Sequence, residues 1–489
     1  MRCLSILGIL YLTTLTSGDQ PKIIIVGAGA SGIAAASKLF ENGFQNVTIL
    51  EAEDRIGGRV NTVWFGDWVD LGGQWVHGET DNIAFQLAQP LGLLDIPQEI
   101  RSAEAGVYDS KGYQIPNSIA NNFIDVYFDI LDNIDSGGSN GSLGEYFTRR
   151  LNSETDKFST VNETTVQQFL KLFEGFTMAE IASDNWYETS LKGYQENWEC
   201  PGNTVINWKD RGYGTILDIL MKKYPNPEEE LPVLNNTILH SEVVEIDYNS
   251  TDGKAMIVMS SGQQYIADHV IVTPSLGVLK ERYETLFTPQ LPESKVNTIK
   301  GLAFGTVAKI LLFFDTPWWP ANSTRFTFIW DDNDRQEYES DPDKKWLVDV
   351  IGIFNIAHRP RILYGWVSGA SARHMESLPE DQVLNQMVEL MNKFLGKTHN
   401  VTRPTGMKRT TWFSNKHFRG TYSFRSMESE RADVWADQLA APLLVNNKPI
   451  ILFAGEATHT HYYGNVHGAI ESGFREANRL IDMYPNTPK

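Results

Sequence analysis

The stretch of sequence that decides the fold covers residues 22–39 and reads KIIIVGAGASGIAAASKL. Residues 22–26 form a short apolar, β-branched run, which is typical of a buried parallel strand. The alanine-rich residues 33–39 predict a helix, so a strand, a glycine-rich turn and a helix follow one another as in a dinucleotide-binding unit. In that unit Gly27 permits the tight turn, Gly29 lets the backbone approach a pyrophosphate, and Gly32 lets the helix lie close to the strand.

The residues that follow strengthen this prediction. Residues 46–50 read as a second strand that ends in Glu51, 19 residues after Gly32, where a ribose-binding carboxylate is expected. Three spaced glycines alone are a weak signal, but the strand, the helix and Glu51 together predict a Rossmann-type dinucleotide site. The pattern does not choose between NAD and FAD.

Composition excludes several classes of protein. The chain has 489 residues, enough for two or three domains, and its net charge is −19, from 61 acidic and 42 basic residues. So acidic a chain is a poor nucleic-acid binder, because such binding needs Lys and Arg at the phosphates. The charge favours cationic partners, although plain solubility is an alternative reading. The only cysteines, Cys3 and Cys200, exclude a disulfide framework and a cysteine-built zinc site.

The N-terminus predicts export. Residues 1–18 combine a short basic start, an apolar run and a small-residue stretch, as in a secretory signal peptide, with a buried N-terminal strand as the alternative. No later run is apolar enough to anchor the chain in a membrane, so we expect a secreted protein. The glycosylation sequons support secretion, and they begin at Asn140, Asn162, Asn235, Asn249, Asn322 and Asn400. The match at Asn46 enters a strand and is expected to be unused.

Residues 51–59, EAEDRIGGR, resemble the segment that follows the nucleotide fingerprint in FAD-dependent amine oxidases. Further family-like segments follow in family order, at residues 70–78, 270–279, 411–423, 452–458 and 467–473. The chain therefore resembles the flavin-containing amine oxidases over residues 22–482. Within that family it is most similar to animal-type polyamine oxidases, the spermine and N1-acetylpolyamine oxidases.

The resemblance implies an α/β (α+β) fold of two domains, in which a Rossmann-type FAD-binding domain is interleaved with a substrate-binding domain of mixed sheet and helices. The expected segments are a signal peptide at 1–18, FAD-binding segments at 19–78, 205–290 and 416–489, and substrate-binding segments at 79–204 and 291–415.

The resemblance also implies the cofactor residues. FAD is expected to be noncovalent, because Thr421 occupies the position at which monoamine oxidases carry the attaching cysteine. Arg59 offers a rigid fork of donors to a pyrophosphate. No metal site is expected. The expected FAD-binding residues are Gly27, Gly29, Ala30, Ser31, Gly32, Glu51, Ala52, Arg59, Gly73, Gln74, Trp75, Val243, Trp412, Gly455, Glu456, Asn465 and Val466.

Two residues are predicted to be catalytic. Lys309 stands in an otherwise apolar strand, where an ammonium is costly unless it is paired or hydrated. In amine oxidases the matching lysine holds a water at flavin N5 and supplies positive charge for reoxidation; a lysine at a solvated strand end is the alternative. His77 occupies the position of the animal-type histidine and could accept a hydrogen bond from a substrate amine, or it could simply be a packed ring.

The remaining predictions concern the substrate. Tyr422 matches one of the two aromatic residues that frame the amine in many family members, and Asn465 replaces the other. Trp75 belongs to residues 70–78, which resemble the flavin-facing segment of the family. A polyamine pocket needs carboxylates for its distal ammonium groups. Glu174 and Glu180 both lie where polyamine oxidases carry a substrate glutamate, and the loose alignment narrowly favours Glu174.

The activity implied by the resemblance is oxidation of spermine, spermidine or their N1-acetyl forms. Hydride transfer to flavin N5 would be followed by imine hydrolysis to an aldehyde and an amine, and O2 would be reduced to H2O2. An L-amino acid oxidase is the main rival, although the flavin-facing segment has no arginine for a carboxylate. A monoamine oxidase and a noncatalytic FAD-binding protein are further alternatives. The sequence does not choose the preferred amine, the side of the nitrogen that is oxidised, or the oligomeric state.

Overall fold

The protein is described here by a computed structural model, which covers residues 20–97, 106–134, 140–158, 161–249, 252–321 and 323–487. The predicted signal peptide, Cys3 and the sequon at Asn322 lie outside these residues. In the described part of the chain, no helix combines the length and the apolar character needed to cross a bilayer.

Short strands and helices alternate along the chain. The strands are β1 (Ile23–Val26), β2 (Val47–Leu50), β3 (Thr62–Trp64), β4 (Trp68–Asp70), β5 (Leu94–Asp95), β6 (Gly106–Asp109), β7 (Asn207–Trp208), β8 (Thr237–Ile238), β9 (Val243–Asp247), β10 (Ala255–Met259), β11 (Gln264–Ala267), β12 (His269–Val272), β13 (Phe287–Thr288), β14 (Ala303–Phe304), β15 (Val307–Phe313), β16 (Arg325–Ile329), β17 (Gly352–Ile356), β18 (Arg359–Ser368), β19 (Gly406–Arg409), β20 (Ser423–Phe424), β21 (Leu443–Val445) and β22 (Lys448–Phe453). The α-helices are α1 (Ala30–Glu41), α2 (Ile83–Ala88), α3 (Asn117–Asp132), α4 (Leu143–Ser153), α5 (Glu163–Ile181), α6 (Leu191–Glu196), α7 (Thr215–Leu220), α8 (Leu276–Leu286), α9 (Glu293–Gly301), α10 (Asp332–Glu339), α11 (Gly369–Ser377), α12 (Glu380–Leu395), α13 (Met427–Arg431), α14 (Ala436–Ala440) and α15 (Val466–Met483).

The first large sheet has the order β21-β22-β12-β1-β2-β8 and is parallel except at β21. Its central strand β1 is fully buried, because α1 and α15 cover one face and the β9–β11 meander covers the other. A parallel sheet covered on both faces explains the unbroken apolar run at residues 23–26. Together with the helix that follows β1, it confirms the predicted α/β class.

The second large sheet has the order β19-β15-β18-β17-β16-β6 and is mixed. The face of β15 that carries Ile310 and Leu312 packs on α12 in an apolar core. The opposite face carries Lys309, which lies directly across from Trp366 on β18. Side chains two residues apart share a face of a strand, so Lys309 is the polar residue on a face that otherwise carries Val307, Leu311 and Phe313.

The strands of the two sheets alternate along the chain, as the predicted interleaving requires. The crossings nevertheless come later than the predicted boundaries after residues 78 and 290. Helix α2 and Leu94 belong to the core of the first sheet, and so do Ile299 and Leu302 at the end of α9. The physical reason is that α2 and α9 each pack back onto the core of the sheet that precedes them in the chain.

Candidate active site

A large cavity of about 1280 Å³ lies between the two sheets and the helices α3, α5 and α6. That volume exceeds the roughly 300–1,000 Å³ of a usual small-ligand pocket. The expected residues that line it are Gly27, Gly29, Ala30, Ser31, Glu51, Ala52, Arg59, Gly73, Gln74, Trp75, His77, Glu180, Val243, Lys309, Trp412, Tyr422, Gly455, Glu456, Asn465 and Val466. Folding thus brings together residues from all five predicted domain segments. Gly32 and Glu174 do not line the cavity.

The glycine turn between β1 and α1 has the geometry of a nucleotide cradle. Gly27 has a φ of +105°, which side chains rarely adopt. A Cβ on Gly29 would meet nothing within 4 Å, so the backbone is open on its cavity side. A Cβ on Gly32 would lie 2.0 Å from the Gly27 carbonyl oxygen, which explains why this glycine serves packing and does not line the cavity.

Glu51 directly follows β2, and backbone amide groups hold its buried carboxylate in place. Its oxygens accept hydrogen bonds from the amides of Ala28, at 2.6 Å, and Glu53, at 2.8 Å. These bonds hold the carboxylate beside the glycine turn at the edge of the cavity. An acceptor in this position fits the hydroxyl groups of a nucleotide ribose.

Arg59 and Glu456 join the first and last predicted FAD segments. The guanidinium donates to the Glu456 carboxylate at 2.8 Å and to the Thr421 carbonyl at 2.6 Å. Glu456 also accepts from the Ser423 hydroxyl at 2.6 Å and from the Gly464 amide at 2.8 Å. The pair therefore clamps three distant loops together at the wall of the cavity.

Lys309 is buried, and each of its three N–H groups has an acceptor. The ammonium donates to the backbone carbonyls of Asp70, at 3.0 Å, and Gly72, at 2.8 Å, and to Gln74 Oε1 at 2.8 Å. Three acceptors and no donor suit the charged form. Burial lowers the pKa of Lys309 and raises the pKa of the Asp70 carboxylate, and the attraction between their charges opposes both shifts. The Lys309 ammonium also lies 5.8 Å from the centre of the Trp75 ring.

His77 presents one ring nitrogen to the cavity. Its Nδ1 lies 2.6 Å from the Thr204 carbonyl oxygen, which can only accept, so Nδ1 carries the proton. In the neutral ring Nε2 is then a free acceptor. Desolvation by the surrounding protein lowers the pKa of His77, although the side chain is exposed to the open cavity, and this shift favours the neutral form.

Tyr422 and Asn465 lie on the cavity wall in fixed orientations. The Tyr422 hydroxyl donates to the Ala179 carbonyl at 2.8 Å, which ties its ring to the end of α5. Asn465 Nδ2 donates to the Tyr463 carbonyl at 3.2 Å at the start of α15. Both residues line the same cavity.

The acidic part of the cavity differs from the prediction. Glu174 pairs with Lys171 at 2.9 Å, outside the cavity, whereas Glu180 lines it, so the preference for Glu174 is corrected. The two residues are six positions apart on α5, which turns them roughly 240° apart around the helix. Glu199 and Asp132 line the same region and were missed, because no motif marks them. Desolvation by the surrounding protein, and then the charge of Glu199, raise the pKa of Glu180 to about 7, although the side chain is exposed to the open cavity.

His459, His461 and His467 lie near one another in the C-terminal part of the sequence. His467 lies 3.8 Å from the Cys200 sulfur and 3.4 Å from Asn82 Nδ2, and burial lowers its pKa to about 3. Across the described residues, no group of three or more His, Cys, Asp or Glu side chains is placed to hold a metal ion.

Comparison with known proteins agrees with this geometry. A family model described as "Flavin containing amine oxidoreductase" matches residues 30–481. The chain is 28% identical over 509 residues to a peroxisomal N(1)-acetyl-spermine/spermidine oxidase of Bos taurus, with 96% of each chain covered. It is 27% identical over 539 residues to probable polyamine oxidase 5 of Arabidopsis thaliana, covering 95% of this chain and 99% of that one.

A solved structure shares the fold. A redesigned putrescine oxidase matches with a TM-score of 0.67 at 18% identity, over 95% of this chain and 99% of that one. At that identity the likeness concerns the fold alone.

Proposed function

The chain belongs to the family of flavin-containing amine oxidoreductases and is an FAD-dependent amine oxidase, and on that premise we propose that its substrates are polyamines. The observation that carries the proposal is the acidic region of the cavity, where Glu180, Glu199 and Asp132 line the wall that α3, α5 and α6 provide. Carboxylates in a partly desolvated cavity bind ammonium groups by charge-assisted hydrogen bonds.

The cavity residues fit FAD. The open side of Gly29, the N-terminus of α1 and the buried Glu51 offer a diphosphate approach and a ribose acceptor. Arg59, Gly73 and Val466 continue the same wall. When bound, FAD accepts the electrons of amine oxidation and passes them to O2.

The chain's own residues orient and desolvate the amine. His77 Nε2 can accept a hydrogen bond from an N–H of the substrate, because its Nδ1 is committed to Thr204. Lys309 supplies a buried positive charge, which favours negative charge that develops near it. A bound amine that displaces water between Trp75, Trp366 and Tyr422 of the cavity wall would strengthen the electrostatic effects of these groups.

The test measures peroxide release by the purified, FAD-loaded protein. Spermine, spermidine, N1-acetylspermine, tyramine and L-amino acids are compared, and we expect the polyamines to have the highest kcat/KM. Glu180→Gln and Glu199→Gln should each lower kcat/KM for spermine by roughly 10- to 100-fold, as expected for loss of a hydrogen bond to a charged group. Glu174→Gln is the matched control, since it removes the same charge from the same helix outside the cavity.

Other outcomes of this assay would identify one of the alternative functions. Preferential oxidation of L-amino acids or tyramine would contradict the polyamine proposal and indicate an amino acid or monoamine oxidase. FAD binding with no peroxide from any amine would indicate a noncatalytic FAD-binding protein.

We propose that FAD is held noncovalently. Thr421 is the residue at the family's attachment position, and its hydroxyl interacts with backbone groups of Gly305 and Val307. Acid precipitation should therefore release all the flavin into the supernatant. Flavin that stays with the protein pellet would contradict this.

We also propose that the protein is secreted and glycosylated. The sequon asparagines in the described residues that support this are exposed, and they are Asn140, Asn162, Asn235, Asn249 and Asn400. The full chain expressed in eukaryotic cells should appear in the medium, and its mass should fall on treatment with an N-glycosidase. Retention in peroxisomes, the location named for the bovine relative, would contradict the proposal.

A further inference from the structure

Arg325 differs from the other arginines that line the cavity. Arg59 pairs with Glu456, Arg282 with Glu242, and Arg425 with Glu196 and Glu430. Arg325 begins β16 and also lines the cavity, and among the described residues its guanidinium has no hydrogen bond or ion pair; its electrostatic neighbour is the phenol of Tyr364, which is not ionised at neutral pH. A partly buried charge without a partner is costly, so a ligand in the cavity that accepts a hydrogen bond would stabilise the guanidinium of Arg325.

The register of the second sheet places Arg325 relative to Lys309. Arg325 lies across from Phe354 on β17, Phe354 lies across from Tyr364 on β18, and Tyr364 lies across from Leu311 on β15. Leu311 is two residues after Lys309 and therefore shares its face of the strand. Arg325 and Lys309 thus stand on one face of the sheet, separated by three strand spacings and by two residues along the strand, or roughly 16 Å between their Cα atoms.

The surface between these two cations is largely aromatic. Phe354 lies across from Arg325, Trp366 lies across from Lys309, and Tyr364 lies across from Phe354 on the same face. Phe354, Trp366 and Ile351 line the cavity. The carboxylates Glu180 and Glu199 lie on the helical side of the cavity. The cavity therefore offers acceptors for ammonium groups in one region and an uncompensated donor for an oxygen acceptor in another.

This distribution is unsuited to a polyamine that is protonated at every nitrogen. An ammonium group beside Arg325 would meet a like charge in surroundings of low dielectric, which is repulsive. An amide carbonyl or a carboxylate would instead accept from the guanidinium, whose planar fork matches such oxygens.

We propose that Arg325 forms an oxygen-acceptor subsite, which binds the acyl carbonyl or carboxylate at one end of an amine substrate and selects such substrates over the free polyamine. The proposal rests on the proposed polyamine oxidase function and refines its substrate class. Arg325 is a specificity residue in this scheme and takes no part in the chemical step.

The test compares kcat/KM for three amines: spermine, N1-acetylspermine, and a spermine analogue that ends in a carboxylate. Arg325→Met removes the charge and the donors, whereas Arg325→Lys keeps the charge and removes the fork. Arg431→Met is the matched control, because Arg431 is an exposed arginine outside the cavity. FAD content and Tm are recorded for each variant.

In Arg325→Met we expect the kcat/KM ratio of the oxygen-bearing amine to spermine to fall roughly 10- to 100-fold, mainly through KM. Spermine itself should become a better substrate once the like charge is removed. Arg325→Lys should still disfavour spermine and should lose part of the preference for the oxygen-bearing amine, and Arg431→Met should keep the wild-type ratio. A loss confined to the acetylated amine identifies a carbonyl as the ligand, and a loss confined to the analogue identifies a carboxylate.

An unchanged ratio in both Arg325 variants, with the amines still oxidised, would overturn the subsite. If Arg325→Met does not fold, an unchanged ratio in Arg325→Lys has the same force. Failure of the wild-type enzyme to oxidise any of the three amines would instead contradict the proposed function.

Discussion

The ammonium of Lys309 lies 2.8 Å from the side-chain oxygen of Gln74. An ammonium can only donate, so Gln74 must turn its oxygen towards Lys309 and its NH2 group the other way. Gln74 also lines the cavity. The lysine therefore positions a glutamine of the flavin-facing segment in addition to supplying charge.

Lys309→Met is expected to slow reoxidation of the reduced flavin by O2 strongly, because it removes the buried positive charge. Stopped-flow mixing of the reduced enzyme with O2 measures this rate. Wild-type kinetics in Lys309→Met would contradict the assigned role.

The same substitution should also lower stability. It leaves the carbonyls of Asp70 and Gly72 without their donor, and an unsatisfied buried acceptor costs about 1–3 kcal/mol. Thermal unfolding should show a lower Tm with a cooperative transition retained. An unchanged Tm would mean that water replaces the ammonium at these carbonyls.

The pH dependence of polycation binding should report Glu180. Desolvation within the open cavity and the charge of Glu199 raise its pKa to about 7, and only the ionised form attracts an ammonium strongly. The ratio of kcat/KM for spermine between wild type and Glu180→Gln should therefore rise as pH increases through about 7. Deprotonation of the amine itself cancels in this ratio, so a ratio independent of pH would exclude Glu180 from binding.

Glu180 should also affect stability, with a definite sign. Its folded pKa lies above the ordinary 4.5, so the folded state retains a proton that the unfolded state has already lost. Without substrate, wild type should therefore become less stable relative to Glu180→Gln as pH rises from about 4.5 to about 7. The difference in Tm between the two proteins, measured across this range, gives the test.

Gly29→Ala and Gly32→Ala should separate cofactor binding from folding. Gly29 has an ordinary φ of −73° and open space at its Cβ position, so its alanine variant should fold normally and bind FAD more weakly. A methyl group on Gly32 would lie 2.0 Å from the Gly27 oxygen, so Gly32→Ala should destabilise even the apoprotein by about 3 kcal/mol. Denaturant unfolding of the apoproteins and FAD titration provide the two measurements. Normal FAD affinity in Gly29→Ala would argue against close approach of the diphosphate.

The ion pair of Arg59 with Glu456 should contribute more than a surface pair. Arg59→Met should lower the free energy of unfolding by about 2 kcal/mol, because Glu456 is buried and loses a charged hydrogen bond. Arg431→Met is the control, because Arg431 pairs with Glu428 on the surface and its loss should lower the free energy of unfolding by less than about 1 kcal/mol. Equal effects of the two substitutions would contradict a special role of the buried pair.

Much of the nucleotide half of the site could be predicted from sequence. Gly27, Gly29 and Glu51 act at fixed spacings within one strand, turn and helix, and local chain geometry alone brings them together. The sequence does not decide which glutamate reaches the cavity, because Glu174 and Glu180 differ only in their angle around α5. The direction of that helix relative to the cavity depends on how it packs against β16, β18 and α3.

The residues that the sequence could not mark share one property. Glu199, Asp132 and Arg325 carry no motif, and charged side chains at such positions are ordinarily solvated. Their roles depend on which side chains lie beside them after folding, as the contrast between Arg325 and the paired Arg59 shows. The domain boundaries after residues 78 and 290 could not be placed for the same reason. Which hydrophobic core α2 and α9 join depends on their contacts in the folded chain.

The amino-acid sequence by itself determined the α/β class, the dinucleotide cradle and the likeness to flavin amine oxidases, because these depend on short-range spacing and on the order of segments along the chain. The tertiary structure alone decided that Glu180 faces the cavity, that Lys309 has a full set of acceptors, and that Arg325 has no partner among the described residues. Burial and pairing arise from contacts between segments hundreds of residues apart, and those contacts exist only in the folded chain.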